Sequence, residues 1–251
     1  MSDVVVREVI PGVVTFSKPF KRIVQPVGGR TTAIKLADNT VWVLASTPLS
    51  EETKTKLDSL GEVKHIAIAD IEHCGFTSEY SKAYSSAKIY GPEGSAQKTK
   101  LDVLEWTSNG PNPMDALKTE LKAEYFDGFI NKDIAFLHVP SKTLIEADLL
   151  FNLPAKEQYS KSNESPTTFL DRFTCLKPDT ILHRRFLYNV AAKDKASMAR
   201  SADRVDKWDF DRIIPCHGDV IEVGGKKAWR SAFAMFFQDI KDGKLPGADD
   251  K

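Results

Sequence analysis

The sequence predicts an α/β fold four layers deep, αββα, with two mixed β-sheets face to face and helices outside. Three observations predict it. Strand-like and helical segments come in the order strands, α/β, strands, α/β, so each half supplies a sheet and then the helices that cover it. The run Val63 to Ala69 is apolar and strand-like, as suits a strand covered on both faces. Metal-competent side chains follow three such strands directly, where sheet proteins collect their ligand sites.

Residues 3–16 alternate hydrophobic and polar and break at Pro11-Gly12, which predicts a two-stranded hairpin. The pattern repeats as strand 31–37, an Asp38-Asn39 turn and strand 40–45. Ser50 caps a helix that carries Glu51 and Glu52 in its first turn and ends at Gly61. The strand "VKHIAIAD", a helix "TSEYSKAYSS" and a strand "AKIYG" closed by Gly91-Pro92 continue the α/β rhythm. Residues 92–120 are weakly patterned and read as loop around Gly110, Pro111 and Pro113. Strands return in "LKAEYFDG", "DIAFLHVP" and "KTLIEADLLFNL". The polar segment 154–168 reads as an exposed loop able to cover something. Helices are expected over roughly 168–190 and 197–208, the second capped by Ser197, before a strand "DRIIPCHGDVIE" and a final helix "GKKAWRSAFAMFFQDI". The expected organisation is one domain over 1–251, with similar halves at about 1–110 and 121–245 and a frayed tail.

The chain has 251 residues, 41% hydrophobic and 28% charged, enough for a core without staples. Thirty-five basic and 35 acidic residues cancel, giving no bulk reason to expect nucleic acid. The cluster Lys18–Arg22 reads as a solvated loop rather than a phosphate site. No run reaches the roughly 18 apolar residues of a membrane span. The start, "MSDVVVREVIPGVV", has no basic region followed by an apolar one, so no secretory signal is expected. Three cysteines argue against a disulfide framework and for a reducing, cytoplasmic setting.

The polar strand ends are Asp70, Glu72 and His73 in "ADIEHCGF", Asp148 in "EADLLF" and His217 in "PCHGD". Nitrogen and oxygen donors of these types suit zinc, iron or manganese once several converge. Singly, each has a plainer reading as a turn or cap residue. Glu146 lies two residues before Asp148, either behind the site or in solvent. His138 and His65 read as structural, and His183 with Arg184 and Arg185 as a solvated helix end. Cys74 and Cys216 adjoin two of the candidates, either as buried space-fillers or as thiols turned to the cavity.

Over nearly the whole chain these residues resemble the metallo-β-lactamase fold superfamily. Glu72-His73-Cys74-Gly75 resembles its Asp-His-x-Gly portion. Ala147-Asp148-Leu149-Leu150-Phe151 resembles its Gly-Asp signature, and Pro215-Cys216-His217-Gly218 its terminal loop. "PSKTLIEADLLFNL" with "VWVLASTPLS" is similar to a divergent branch known only as a domain of unknown function. The resemblance implies that the first of the superfamily's two metal sites is lost, because Ile68 and Asp70 stand where two histidines are expected and no "GHT" precedes the second signature. It implies a second site formed by Glu72, His73, Asp148 and His217, holding one divalent ion: zinc first, iron or manganese as alternatives.

Two readings of function follow. One is a single-metal hydrolase of a small-molecule ester, lactone or thioester, in which Asp148 or Asp70 orients or deprotonates the water. The other is a metal-free fold kept as a small-molecule or protein binding module, with a metal-independent acid/base isomerase or lyase between them. The expected partner is a small-molecule substrate, with neither nucleic acid nor membrane.

Overall fold

The computed structural model describes residues 3–169 and 176–250. The first hairpin pairs β1 (Val5–Ile10) with β2 (Val13–Lys18), and Gly12 takes a left-handed turn conformation between them. A small hairpin, β3 (Lys21–Arg22) and β4 (Gln25–Pro26), projects before β5 (Gly29–Lys35) and β6 (Thr40–Leu44). Helix α1 (Glu51–Leu60) begins at Ser50, whose side chain accepts the Thr53 N–H, and leads into β7 (Glu62–Ala67). Helix α2 (Thr77–Ala83), β8 (Lys88–Pro92), α3 (Ser95–Thr99) and β9 (Leu104–Trp106) follow. The seven-stranded sheet has the order β1-β2-β5-β6-β7-β8-β9.

The second sheet, β10-β11-β12-β13, is formed by Leu121–Tyr125, Ile134–His138, Thr143–Glu146 and Arg212–Pro215. Helices α4 (Ile181–Phe186), α5 (Lys195–Asp206), α6 (Gly225–Ala232) and α7 (Ala234–Lys241) cover its outer face, with one wide π-helical turn over Leu187–Ala191 after α4.

The strand period of two sorts side chains into the predicted layers. Trp42, Leu44, Ala67 and Ala69 of the large sheet meet Ile134, Phe136, Ile145 and Ile214 of the small one. Their neighbours Val41, Val43, Ile66 and Ile68 face Leu57, Leu60 and Tyr80 of α1 and α2. Leu144 and Ile213 turn the other way, onto Met198, Val205 and Trp229. Two mixed sheets with helices outside make the α/β sandwich. Among the described residues no helix is long and apolar enough to cross a membrane.

Several local expectations are corrected. Residues 92–120 hold α3 and β9, short elements tied to the sheet edge, where Glu105 accepts the Gly94 and Ala96 N–H groups. The helix after 191 is capped by Asp194, whose carboxylate accepts the Ala196 and Ser197 N–H groups, while Ser197 Oγ binds Asp127. Both are good caps, and the Gly128 carbonyl decides by pinning the Lys193 and Asp194 N–H groups. In the helix expected over 168–190, residues 170–175 lie outside the described residues and regular helix begins only at Ile181. The last helix divides at Phe233.

Candidate metal centre

Parallel pairing of β12 with β13 sets Glu146 opposite Pro215, so Asp148 and His217 emerge side by side two residues later. The end of β7 reaches them from the other sheet: Ile134 N–H donates to Ala69 O and Ile71 N–H to Asn131 O. The His73 and His217 rings thereby meet, Nε2 to Nε2, at 3.1 Å. Asp148 Oδ1 stands 3.3 Å from His217 Nε2. Asp148 and His217 are each 3% exposed.

The outer nitrogens fix what the inner ones present. His73 Nδ1 is 2.7 Å from Asp70 Oδ2, and His217 Nδ1 is 2.6 Å from the Gly28 carbonyl. A carboxylate and a carbonyl only accept, so both Nδ1 atoms carry the hydrogen. In the neutral rings both Nε2 atoms then hold lone pairs and face each other, and that of His217 adjoins Asp148 Oδ1, a buried oxygen with no donor. With both rings neutral, two ring lone pairs and a carboxylate oxygen thus adjoin at His217 Nε2 with no hydrogen between them. Such a point takes a cation, either a proton or a metal ion.

The charges agree. Burial opposes a charge on His73, but Asp70, Cys216 and Asp148 overturn this and raise its pKa well above the usual histidine value. His217 is raised too, against burial, by Cys216 and Asp148. Burial would raise Asp148, yet His73, His217 and Arg22 hold it well below the usual carboxylate range. Behind it, burial and then the Asp70 and Asp148 charges push buried Asp133 well up. Glu146 is fully buried, not in solvent, and burial followed by Asp133 drives it upward. Cys216 is raised by burial and lowered by His217 and His73, to a balance of about 7.

Of the expected ligands, His73, Asp148 and His217 come together and Glu72 does not. Its carboxylate pairs with Arg22 Nη2 at 2.9 Å, and its side chain is 45% exposed. Turn chemistry explains the difference. Asp70 Oδ1 accepts the Glu72 and His73 N–H groups at 2.6 and 3.0 Å, which folds Asp70 inward and turns Glu72 out. Two sets of donor atoms lie within 4.8 Å of one another, one of Asp70, His73 and Asp148 and one of His73, Cys216 and His217. Ile68 packs against the outer helices, away from the site. Cys74 turns outward as well, its Sγ donating to Ile71 O.

The remaining histidines lie elsewhere. His65 bonds Tyr90 and His138 bonds Ser141. His183 is buried, not solvated, and its Nε2 accepts the Phe151 N–H.

Sequence reasoning missed the residues that hold the ligands. Asn131 Nδ2 donates to Asp148 Oδ2 at 2.7 Å, and Asp133 Oδ2 accepts the Asp148 N–H. Polar "NKD" just before an apolar strand is the one trace of them in the sequence. Fully buried Arg30 donates to the Pro215 and Gly218 carbonyls on either side of His217, and Gln158 braces the same loop through Cys216 O and Gly218 N. Gln158 belongs to the segment read as an exposed cover. Gly28 aims its carbonyl from a left-handed conformation, where a Cβ would lie 2.1 Å from Gln158 Oε1. The Lys18–Arg22 cluster is no mere solvated loop. Lys18, Phe20 and Arg22 line a cavity of about 480 Å³ whose floor is His73, Cys216 and His217.

No protein-family model matches the chain, and no curated protein matches it. Solved structures do. The chain is similar to a metallo-β-lactamase from Erythrobacter litoralis with β-mercaptoethanol in its active site, at 12% identity and TM-score 0.62, over 95% of this chain and 98% of that one. A metallo-β-lactamase from Pontibacter korlensis gives 11% identity and TM-score 0.59, over 93% and 99%. A flavoprotein from Thermotoga maritima gives 12% identity and TM-score 0.66, over 94% of this chain and 62% of that one. The chain has the metallo-β-lactamase fold. At these identities the likeness extends to the fold alone.

Proposed function

We propose that the protein is a metal-dependent hydrolase with a single-metal site, acting on a small-molecule ester, lactone or thioester. One observation carries the reading: both imidazoles have their Nδ1 atoms committed to acceptors, so in the neutral rings the two Nε2 lone pairs meet, with Asp148 Oδ1 beside that of His217 and no other donor on it. Their separations of 3.1 and 3.3 Å match the edge of about 3.3 Å that ligands 2.0–2.1 Å from a tetrahedral zinc would span. His73, His217 and Asp148 would hold the ion, with zinc first and iron or manganese as alternatives.

A bound ion of this kind polarises a carbonyl and brings the pKa of water to about 7. The chain supplies the rest. Asp70 spends both oxygens on three donors, so it orients His73 and does not serve as a base. Asp148 is held ionised, which suits it to orient water rather than to keep a proton. Asn131 fixes its other oxygen. Phe20, Pro48 and Phe76 give the cavity an apolar wall that excludes bulk water around a substrate. The cavity volume suits a small molecule as partner.

Elemental analysis of protein purified without a histidine tag tests the reading. About one ion per chain is expected, lost on His73→Ala or His217→Ala, with turnover in a panel of aryl esters, lactones and thioesters. Absence of metal after both aerobic and anaerobic preparation, with both variants as stable as the parent, refutes it. That result would favour a proton at the same point and a metal-free binding or acid/base role.

A further inference from the structure

We propose that Cys216 is a fourth donor to this ion, a sulfur ligand that makes the site favour zinc and similar thiophilic ions over manganese and magnesium. The inference rests on the metal-binding part of the function proposed above and adds the identity of the metal.

Cys216 stands at the end of β13 directly before His217, and its Sγ lies within 4.8 Å of the ligand nitrogens of both His73 and His217. It forms part of the cavity floor with those two rings. Its backbone is fixed on both sides, the N–H on Glu146 O at 3.0 Å and the carbonyl on Gln158 Nε2 at 2.7 Å. The thiol itself is loosely held: its hydrogen bond to Arg30 O is 3.5 Å long, so turning it to an ion sacrifices little. A sulfur at 2.3 Å and an imidazole nitrogen at 2.0–2.1 Å from one zinc lie about 3.5 Å apart, within the span allowed here. A second observation points to the same centre. Asp148 Oδ1, on a side chain only 4% exposed, has no donor and lies 3.3 Å from His217 Nε2.

The resulting set is two nitrogens, one oxygen and one sulfur. Thiolate favours zinc, whereas carboxylate, carbonyl and water donors suit manganese and magnesium. Cys74 is the built-in control, since its sulfur faces the outer helices.

The test uses the full chain stripped with chelator and titrated with cobalt(II). The parent and Cys74→Ser should show a near-ultraviolet thiolate-to-cobalt band, and Cys216→Ser should bind cobalt without it. Cadmium affinity should fall about tenfold or more in Cys216→Ser, while manganese affinity stays within about twofold. If Cys216→Ser fails to fold, Cys216→Ala replaces it. A measurement needing no variant is alkylation of Cys216, which cadmium should block in the parent. Cobalt bound by the parent without a thiolate band, or a band that survives in Cys216→Ser, overturns the inference and leaves the hydrolase reading standing. A parent that binds no cobalt overturns both.

Discussion

Asp70→Asn tests the tautomer argument most directly, because it changes one atom and preserves shape. Asp70 Oδ1 accepts two backbone N–H groups, from Glu72 and His73, and Oδ2 accepts the His73 Nδ1 hydrogen. Asparagine has one oxygen for both tasks. Its oxygen stays with the two backbone donors, since an amide NH2 there would oppose both. The NH2 then faces His73 Nδ1, which must become an acceptor, and the ring hydrogen moves to Nε2, into the space between His217 and Asp148. To bind an ion the ring must return to its original tautomer with two donors opposed. An unpaired buried donor costs about 1–3 kcal/mol, and 1.4 kcal/mol is a factor of ten.

Zinc affinity should therefore fall about 10- to 100-fold, in line with the usual effect of losing a partner behind a metal-bound imidazole. Chelator competition at fixed pH measures it. Thermal unfolding of the metal-free protein should change little, because the turn keeps its cap. His73 should also titrate lower, since the Asp70 charge that opposes burial is gone. An unchanged zinc affinity in a folded Asp70→Asn protein would refute the tautomer argument.

Further consequences follow from groups around the site. His183 is buried and its pKa is depressed by burial, then by Arg184, to about 3. The folded value lies below the unfolded one, so its stability contribution is intact above about pH 6.5 and is lost as pH falls towards 3, at about 1.4 kcal/mol per unit. At pH 5 the loss is about 2 kcal/mol, and His183→Gln should flatten that part of a urea-derived stability profile. Arg30→Met strands the Pro215 and Gly218 carbonyls and should cost about 3–5 kcal/mol in urea unfolding. Glu146 is raised towards its neutral form, with Oε2 on the Leu150 N–H and Oε1 unpartnered, so Glu146→Gln should unfold within about 1 kcal/mol of the parent.

The fold was legible where local chemistry and tertiary packing ask for the same thing. Ser50 before two glutamates starts a helix in isolation and starts one here. Val63 to Ala69 reads as a strand covered on both sides, and its side chains divide between the inter-sheet core and the layer under α1 and α2. Legibility ended where a tertiary contact made the choice. Asp194 and Ser197 are equal as caps in sequence, and a carbonyl from Gly128, far along the chain, selects between them.

The site divides along the same line. His73, Asp148 and His217 were readable because each follows a strand whose direction is set by its hydrophobic pattern. Glu72 misled because motif spacing gives the order of side chains along the chain but not the turn that aims them. That turn is made by Asp70, one carboxylate serving both as cap of the loop and as partner of the imidazole. Asn131, Asp133 and Arg30 left almost no trace, since their work depends on strand ends meeting across two sheets. Asp133 and Glu146 extend the point: two buried carboxyls raised towards neutrality stand behind an ionised one held down by two imidazoles and Arg22. Like charges this close cannot all ionise without a cation. The protein leaves negative charge on Asp70, which orients His73, and on Asp148, whose free oxygen faces His217 Nε2, and thereby concentrates the field beside the point where the two imidazoles meet.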